Sequence, residues 1–152
     1  MGRLGFILAL CLLALTGCAG YRLQGVVIEG KTPAIFLVDK DDSRLTQPGL
    51  ANAVVQVTID PHEMSPKTLA PVSSDDRGRF EAVVGEPGAG LLEYQASILC
   101  RLTGYQAATQ EMPLPPSDKR LLIVLVPGAD TYRPPPDILN ETLEMKRQLE
   151  SR

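Results

Sequence analysis

Alternation of apolar and polar side chains, with a period of two, is the feature that most constrains this chain. Successive residues of a strand point to opposite faces of a sheet, so the alternation predicts strands that are buried on one face. It is clearest in residues 53–59 and recurs in residues 79–84 and 93–103. The core positions predicted from these three segments are Val55, Val57, Phe80, Tyr94, Ile98 and Cys100.

Turn signals separate these segments from one another. Residues 121–126 are apolar on both faces, which predicts a central strand and assigns Val124 to the core. Aspartate and glycine in residues 74–78 predict a turn at Asp76 and Gly78, and Gly104 predicts another. Further strands are predicted at residues 22–28, 34–38 and 106–112. Seven or so short strands with turns between them predict an all-β, antiparallel sandwich.

Composition narrows the choice of partners. The chain has 13 proline and 13 glycine residues and no tryptophan, which favours turns over long helices. Its net charge of −3 offers no electrostatic case for binding a nucleic acid, where a clustered basic face would be expected. We therefore expect no nucleic-acid partner.

The amino terminus is typical of a targeting segment. Arg3 precedes an apolar run of about a dozen residues, shorter than the roughly 20 residues that span a bilayer. The run ends in Leu15-Thr16-Gly17-Cys18, which resembles the lipobox of bacterial lipoprotein signal peptides. An uncleaved anchor, or an ordinary secretory signal with an incidental cysteine, stays open as an alternative.

The lipobox resemblance implies a location. It implies cleavage between Gly17 and Cys18, transfer of diacylglycerol to the Cys18 thiol and acylation of the new amino terminus. Two or more acyl chains hold a protein firmly on a membrane, whereas one chain binds only marginally. Because Ala19 rather than aspartate follows the cysteine, the same resemblance implies transfer to the outer membrane, with the domain in the periplasm.

Four further stretches resemble the carboxypeptidase regulatory-like domain, a member of the transthyretin-like (prealbumin-like) β-sandwich group. They are residues 49–57, 74–80, 94–105 and 121–126. Asn52 stands where the family usually has glycine, and Ser74 stands in place of threonine. The resemblance covers about residues 22–127 and implies a fold without implying an activity. The stretch between Gly30 and Gly49 departs from the family pattern, so its path is left open.

The carboxyl-terminal residues change in character. Arg133 precedes three prolines, which predict an extended spacer, and Asp137 can cap an amphipathic helix over residues 138–149. A helix of about a dozen residues is marginal alone, so it docks on its own domain or on a partner protein, or it frays. The predicted organisation is a signal peptide (1–17), a lipidated cysteine and tether (18–22), a sandwich (23–128), and a spacer with helix (129–152).

Residues able to carry chemistry are few. After the loss of the signal peptide and acylation of Cys18, Cys100 is the remaining thiol, and we expect it to pack in the core. His62 is the only histidine and is expected in a solvated loop. Asp39, Asp41 and Asp42 offer oxygens to calcium, but no 12-residue calcium loop is present and a solvated turn is favoured. No catalytic residue, metal site or cofactor is predicted.

These expectations lead to a non-enzymatic, lipid-anchored structural or adaptor module of the cell envelope. Its expected partners are the membrane, through the lipid, and a protein, through the helix at residues 138–149. The alternative is a module that binds a carbohydrate or another envelope ligand with loops of the sandwich. The absence of tryptophan argues against stacking on sugars. An enzyme would instead require a cleft with paired carboxylates of perturbed pKa.

Overall fold

The computed structural model describes residues 20–133. The predicted signal peptide, its cleavage site at Gly17 and Cys18, and the predicted helix at residues 138–149 lie outside the described residues. The described elements are β1 (Tyr21–Glu29), β2 (Ala34–Asp39), a 3-10 helix (Ser43–Thr46), β3 (Val54–Ile59), β4 (Lys67–Thr68), β5 (Val72–Ser73), β6 (Arg79–Val84), β7 (Gln95–Arg101), β8 (Tyr105–Gln106), β9 (Ala108–Pro113) and β10 (Lys119–Pro127).

The strands form two sheets. Sheet 1 has the order β2-β10-β1-β6, with β8 paired to the end of β10, and sheet 2 has the order β4-β3-β7-β9, with β5 paired to β3. Within residues 20–133, seven strands have six or more residues, and the other three have two each. The prediction of an all-β chain with seven or so principal strands is therefore confirmed.

One apolar core joins the two sheets. Sheet 1 contributes Leu23 and Phe80, among others, and sheet 2 contributes Val57 and Ile98, all at most 5% exposed. Alternation explains this core, because every second residue of β3 and of β6 is buried. The predicted core residues Val55, Val57, Phe80, Ile98 and Cys100 lie in this interior.

The sandwich is not antiparallel throughout. Strands β1 and β10 pair in parallel, from Gly25 opposite Leu121 to Glu29 opposite Leu125. The prediction of a purely antiparallel arrangement is wrong at this pair. Alternation reports which face a residue occupies but says nothing of strand direction, and parallel neighbours need a long connection, here most of the chain. The predicted central position of residues 121–126 is confirmed, because β10 lies between β1 and β2.

A second, smaller core covers the outer face of sheet 1 and resolves the path of residues 30–49. After β2, the 3-10 helix lies over this face, and Leu45 packs against Val26, Ile28, Val38 and Leu122. The chain then returns to sheet 1, where Gly49 bridges Ile28. Residues 121–126 are therefore apolar on both faces because both faces are covered.

Two predicted core residues are only half-buried, Tyr94 against the main core and Val124 against the second core. Val124 points to the outer face and is half-buried against the second core, because β10 places even-numbered residues on that side. Tyr94 precedes β7 and is half-buried, with its hydroxyl donating to the Pro87 carbonyl at 2.7 Å. A tyrosine at the end of a strand keeps its polar tip hydrogen-bonded in this way.

The turn before β6 depends on a different aspartate from the one predicted. Asp75 Oδ1 accepts from the backbone N–H groups of Arg77 and Arg79, at 2.9 and 2.8 Å. The hydrogen bond from Arg79, then the one from Arg77, and the positive charges of both arginines hold the pKa of Asp75 below its usual range. Asp76 is exposed and has no hydrogen bond from its side chain among the described residues. Gly78 has a φ of 74°, as the turn requires.

Candidate functional site

A cavity lies on the outer face of sheet 1, beside the second core. Its volume is about 560 Å³, within the roughly 300–1,000 Å³ typical of small-molecule sites. Gln24 and Val26 of β1 line its floor, and the segment that carries Leu45 forms one wall. The short 3-10 helix covers the apolar half of this face, so the polar half is left as the open cavity.

Three of the four carboxylates that line this cavity, those of Asp42, Asp75 and Glu81, are held by neighbours, whereas that of Asp41 has no hydrogen bond to a described residue. Asp42 Oδ1 accepts from the Arg44 backbone N–H at 2.8 Å, and its other oxygen accepts from the Arg44 guanidinium at 2.7 Å. These bonds hold the pKa of Asp42 at about 2. Glu81 accepts from Gln24 Nε2 at 2.6 Å and pairs with Arg22, and these contacts lower its pKa.

The cations that line the cavity are less engaged. Lys40, Arg79 and Arg120 form no ion pair with any other residue of the described range 20–133. Arg120 is half-buried, and its Nη1 donates only to backbone carbonyls, those of Ser117 and Lys119. Cations without a carboxylate partner can bind an anionic group by charge-assisted hydrogen bonds. Four carboxylates line the same cavity, so its lining carries both signs of charge and suits non-covalent binding of a polar ligand.

Cys100 does not provide a nucleophile. Its side chain is fully buried between the sheets, opposite Val55 in the register of β3 and β7. Burial raises the pKa of its thiol to about 12. Because the thiolate is the reactive form, this thiol is inert at neutral pH.

His62 and the aspartates after β2 lie in solvated surroundings. His62 Nε2 lies 2.9 Å from Glu111 Oε2, and both side chains are more than half exposed. Asp39 pairs with Lys119 at 2.5 Å, Asp42 pairs with Arg44, and Asp41 lines the cavity. Among residues 20–133, no group of three or more histidine, cysteine, aspartate or glutamate side chains is placed to hold a metal ion.

Sequence reasoning missed two features. One is the cavity, whose lining comes from segments far apart in the chain, so that no local pattern marks it. The other is the buried hydroxyl of Ser74, which donates to the Leu50 carbonyl at 2.6 Å and accepts from the Ala53 N–H at 2.9 Å. A serine before two aspartates predicts the turn, but nothing in the local sequence predicts that its hydroxyl joins these two backbone groups.

Comparisons with known proteins add no relative. No family model, no curated protein and no solved structure matches this chain. In the part of the chain that the structure describes, no helix has the length and apolar character needed to cross a bilayer. The resemblances to the lipobox and to the carboxypeptidase regulatory-like domain therefore rest on their own motifs.

Proposed function

We propose that this protein is a bacterial lipoprotein, anchored by acyl chains on Cys18, whose β-sandwich is a non-enzymatic structural or adaptor module of the cell envelope. The observation that carries the proposal is the start of β1 at Tyr21, three residues after Cys18. Three residues span at most about 10 Å. Because β1 lies between β10 and β6, such an anchor would hold the whole sandwich close to a membrane. We place that membrane as the outer one, with the domain in the periplasm.

The two ends of the sandwich support an adaptor role. Strand β1 begins at one end, whereas Asp130 pairs with Arg101 at the opposite end, where β7 finishes. Residues beyond Arg133 therefore start from the end that lies away from the proposed anchor. The predicted helix at residues 138–149 would then be offered to a protein partner rather than to the membrane.

The carboxypeptidase regulatory-like, transthyretin-like fold is part of the same proposal. The four stretches that carry the resemblance correspond to the entry into β3, the turn into β6, the strand β7 with its following turn, and β10. Each of these is a structural element rather than a site. The absence of an enzymatic role is supported by the buried Cys100 and the exposed pair of His62 with Glu111.

The anchor is tested by intact-mass measurement of the protein purified from bacterial membranes. The expected product begins at Cys18 and carries the added mass of the acyl groups. Cys18→Ala should abolish that mass, whereas Cys11→Ala should retain it because residue 11 is removed with the signal peptide. An unmodified amino terminus in the native protein would refute the anchor.

The adaptor role is tested separately by crosslinking in intact cell envelopes. Deletion of residues 134–152 retains every described residue and should remove the crosslinked partner. An unchanged set of crosslinked proteins would exclude docking through this segment.

A second candidate function is suggested by the cavity. Lys40, Arg79 and Arg120 lie around it without a salt bridge among the described residues, beside four carboxylates, so the cavity offers charge-assisted hydrogen bonds to a small ligand that carries both a carboxylate and hydroxyl groups, such as an acidic sugar. Calorimetric titration with glucuronate should show binding that Arg120→Gln weakens at least tenfold. Equal heats for the wild type and the variant would exclude this site.

A further inference from the structure

The most exposed large apolar side chains of the described range 20–133 gather at one end of the sandwich. Met64 is 102% exposed, Leu91 is 92%, Leu92 is 60% and Val83 is 58%. The remaining exposed large apolar residues in this range reach no more than 45%. Scattered single residues of this kind are normal on a protein surface, whereas a gathered set marks an interaction site.

Contacts place these residues beside the start of β1. Gly20 lies against Val83, because a Cβ on Gly20 would be 3.2 Å from Val83 Cγ1. The backbone of Gly90 lies on the Tyr21 ring, because a Cβ there would be 2.6 Å from Tyr21 Cδ2. The Leu91–Leu92 loop therefore lies at the point where the described chain begins.

The loop that carries Met64 lies at the same end. It follows β3, and Asp60 donates its backbone N–H to the carbonyl of Gln95, the first residue of β7. An ion pair between Lys67 and Glu86 then joins this loop to the loop of the two leucines. The gathered apolar residues thus belong to one surface, formed by residues 60–67 and 83–92.

The exposure of the leucines is imposed by the backbone. The N–H groups of Leu91 and Leu92 both donate to the Gly88 carbonyl, at 2.9 and 2.8 Å. The Tyr94 hydroxyl also holds the loop, through the Pro87 carbonyl. A tight turn fixed at both sides therefore presents Leu91 outward, where the sandwich offers it no apolar partner.

We propose that this end of the sandwich contacts the lipid surface itself, with Leu91 and Leu92 inserted into the membrane interface. The inference rests on the proposed acyl anchor at Cys18, and it names a second point of membrane contact. The anchor favours lipid as the occupant, because a tether of about 10 Å holds this end at the bilayer and makes the second contact intramolecular. Apolar side chains bind a membrane interface by entering the boundary between headgroups and acyl chains to a depth of about 5–10 Å.

Charge at this end predicts how the contact depends on lipid type. Lys67 pairs with Glu86 and Lys119 pairs with Asp39, and the His62 ring lies against Glu111. Lys40 and Arg120 remain at this end without an ion pair among the described residues, and two such cations can add only a weak attraction to anionic headgroups. The apolar contact should therefore persist on zwitterionic vesicles and in high salt, and anionic lipid should add only a smaller part that salt screens.

The test uses the full lipidated protein in phosphatidylcholine vesicles. Leu91→Cys provides one reactive thiol for an environment-sensitive fluorophore, because Cys100 is buried and Cys18 would be acylated. Thr103→Cys is the matched control, since Thr103 is exposed in the turn at the opposite end. The expected result is a blue-shifted emission at position 91, quenched by nitroxide lipids with the label near the headgroup. The probe at position 103 should show neither effect, and Leu92→Asp should reduce the quenching at position 91.

The possible failures are distinguishable by vesicle flotation. A probe at position 91 that behaves like the probe at position 103, on a protein that floats with the vesicles, would overturn the leucine contact and leave the anchor standing. A protein that does not float, with an unmodified amino terminus by mass, would overturn the anchor and this inference with it. Quenching that requires anionic lipid would overturn the apolar contact in favour of an electrostatic one.

Discussion

Ser74 provides a sharp test of how the edge of sheet 2 is held. Its side chain is 4% exposed, and it is the buried polar residue of the described range 20–133. The hydroxyl donates to the Leu50 carbonyl and accepts from the Ala53 N–H. The backbone of Ser74 also pairs with Ala53 and Asn52. Ser74→Ala removes the hydroxyl and leaves these backbone bonds in place.

The size of the effect follows from what is left behind. Ala53 is fully buried, so its N–H would lose its partner where water cannot replace it. A buried group left unsatisfied costs about 1–3 kcal/mol. Leu50 is half-buried, so its carbonyl can reach water and adds little. We expect Ser74→Ala to lower the free energy of unfolding by about 2 kcal/mol.

Urea unfolding followed by circular dichroism measures this difference. For a domain of this size, a loss of about 2 kcal/mol moves the urea midpoint down by about 1 M. Ser73→Ala is the matched control. The Ser73 side chain is exposed, so this substitution should change the free energy of unfolding by less than about 0.5 kcal/mol. Equal midpoints for the two variants would refute the view that the Ser74 hydroxyl bridges buried backbone groups.

Three further predictions concern turns and the buried thiol. Gly78→Ala should lower the urea midpoint more than Gly104→Ala. Both glycines have positive φ, but only at Gly78 would a Cβ meet backbone atoms, the nearest at 2.4 Å. Equal losses of stability would contradict this prediction. Asp75→Ala should lower the urea midpoint and Asp76→Ala should not, because only Asp75 accepts backbone N–H groups in the turn. The reverse order would support the role predicted for Asp76 from the sequence. Cys100 should react with a disulfide reagent only in the unfolded protein. Because its pKa of about 12 in the folded protein lies above the usual 9.0, Cys100 should make the free energy of unfolding fall as pH rises between these values. Cys100→Ala should flatten that fall, and an unchanged slope would show that the thiol is not its cause.

The sequence predicts the strands well where one rule suffices. Alternation marks β3, β6 and β7, and the structure buries every second residue in each of them. It fails at Val124, because a strand covered on both faces shows no alternation to say which core a residue joins. It fails again for β1 and β10, because their parallel pairing depends on how distant segments meet. Local patterns report the face of a strand, whereas direction and neighbours are decided by tertiary packing.

The candidate cavity lies beyond sequence reasoning for a related reason. Its wall is the segment after β2, between Gly30 and Gly49, and its cations come from three separate segments. The same difficulty explains why the sequence prediction chose the wrong aspartate for the turn before β6. Composition predicts that an aspartate shapes it, but only the backbone geometry shows that Asp75 rather than Asp76 reaches the N–H groups.

The outer face of sheet 1 connects these observations. A sheet whose central strand is apolar on both faces over residues 121–126 needs cover on both sides, and sheet 2 covers only one of them. The segment between β2 and β3 supplies the second cover, but its helix has only four residues and reaches Leu122 without extending over the polar rows of β1 and β6. The cavity is therefore a consequence of how little chain this face uses for cover. A longer covering segment would bury Arg79 and Arg120, at a high cost in desolvation unless carboxylates came with it.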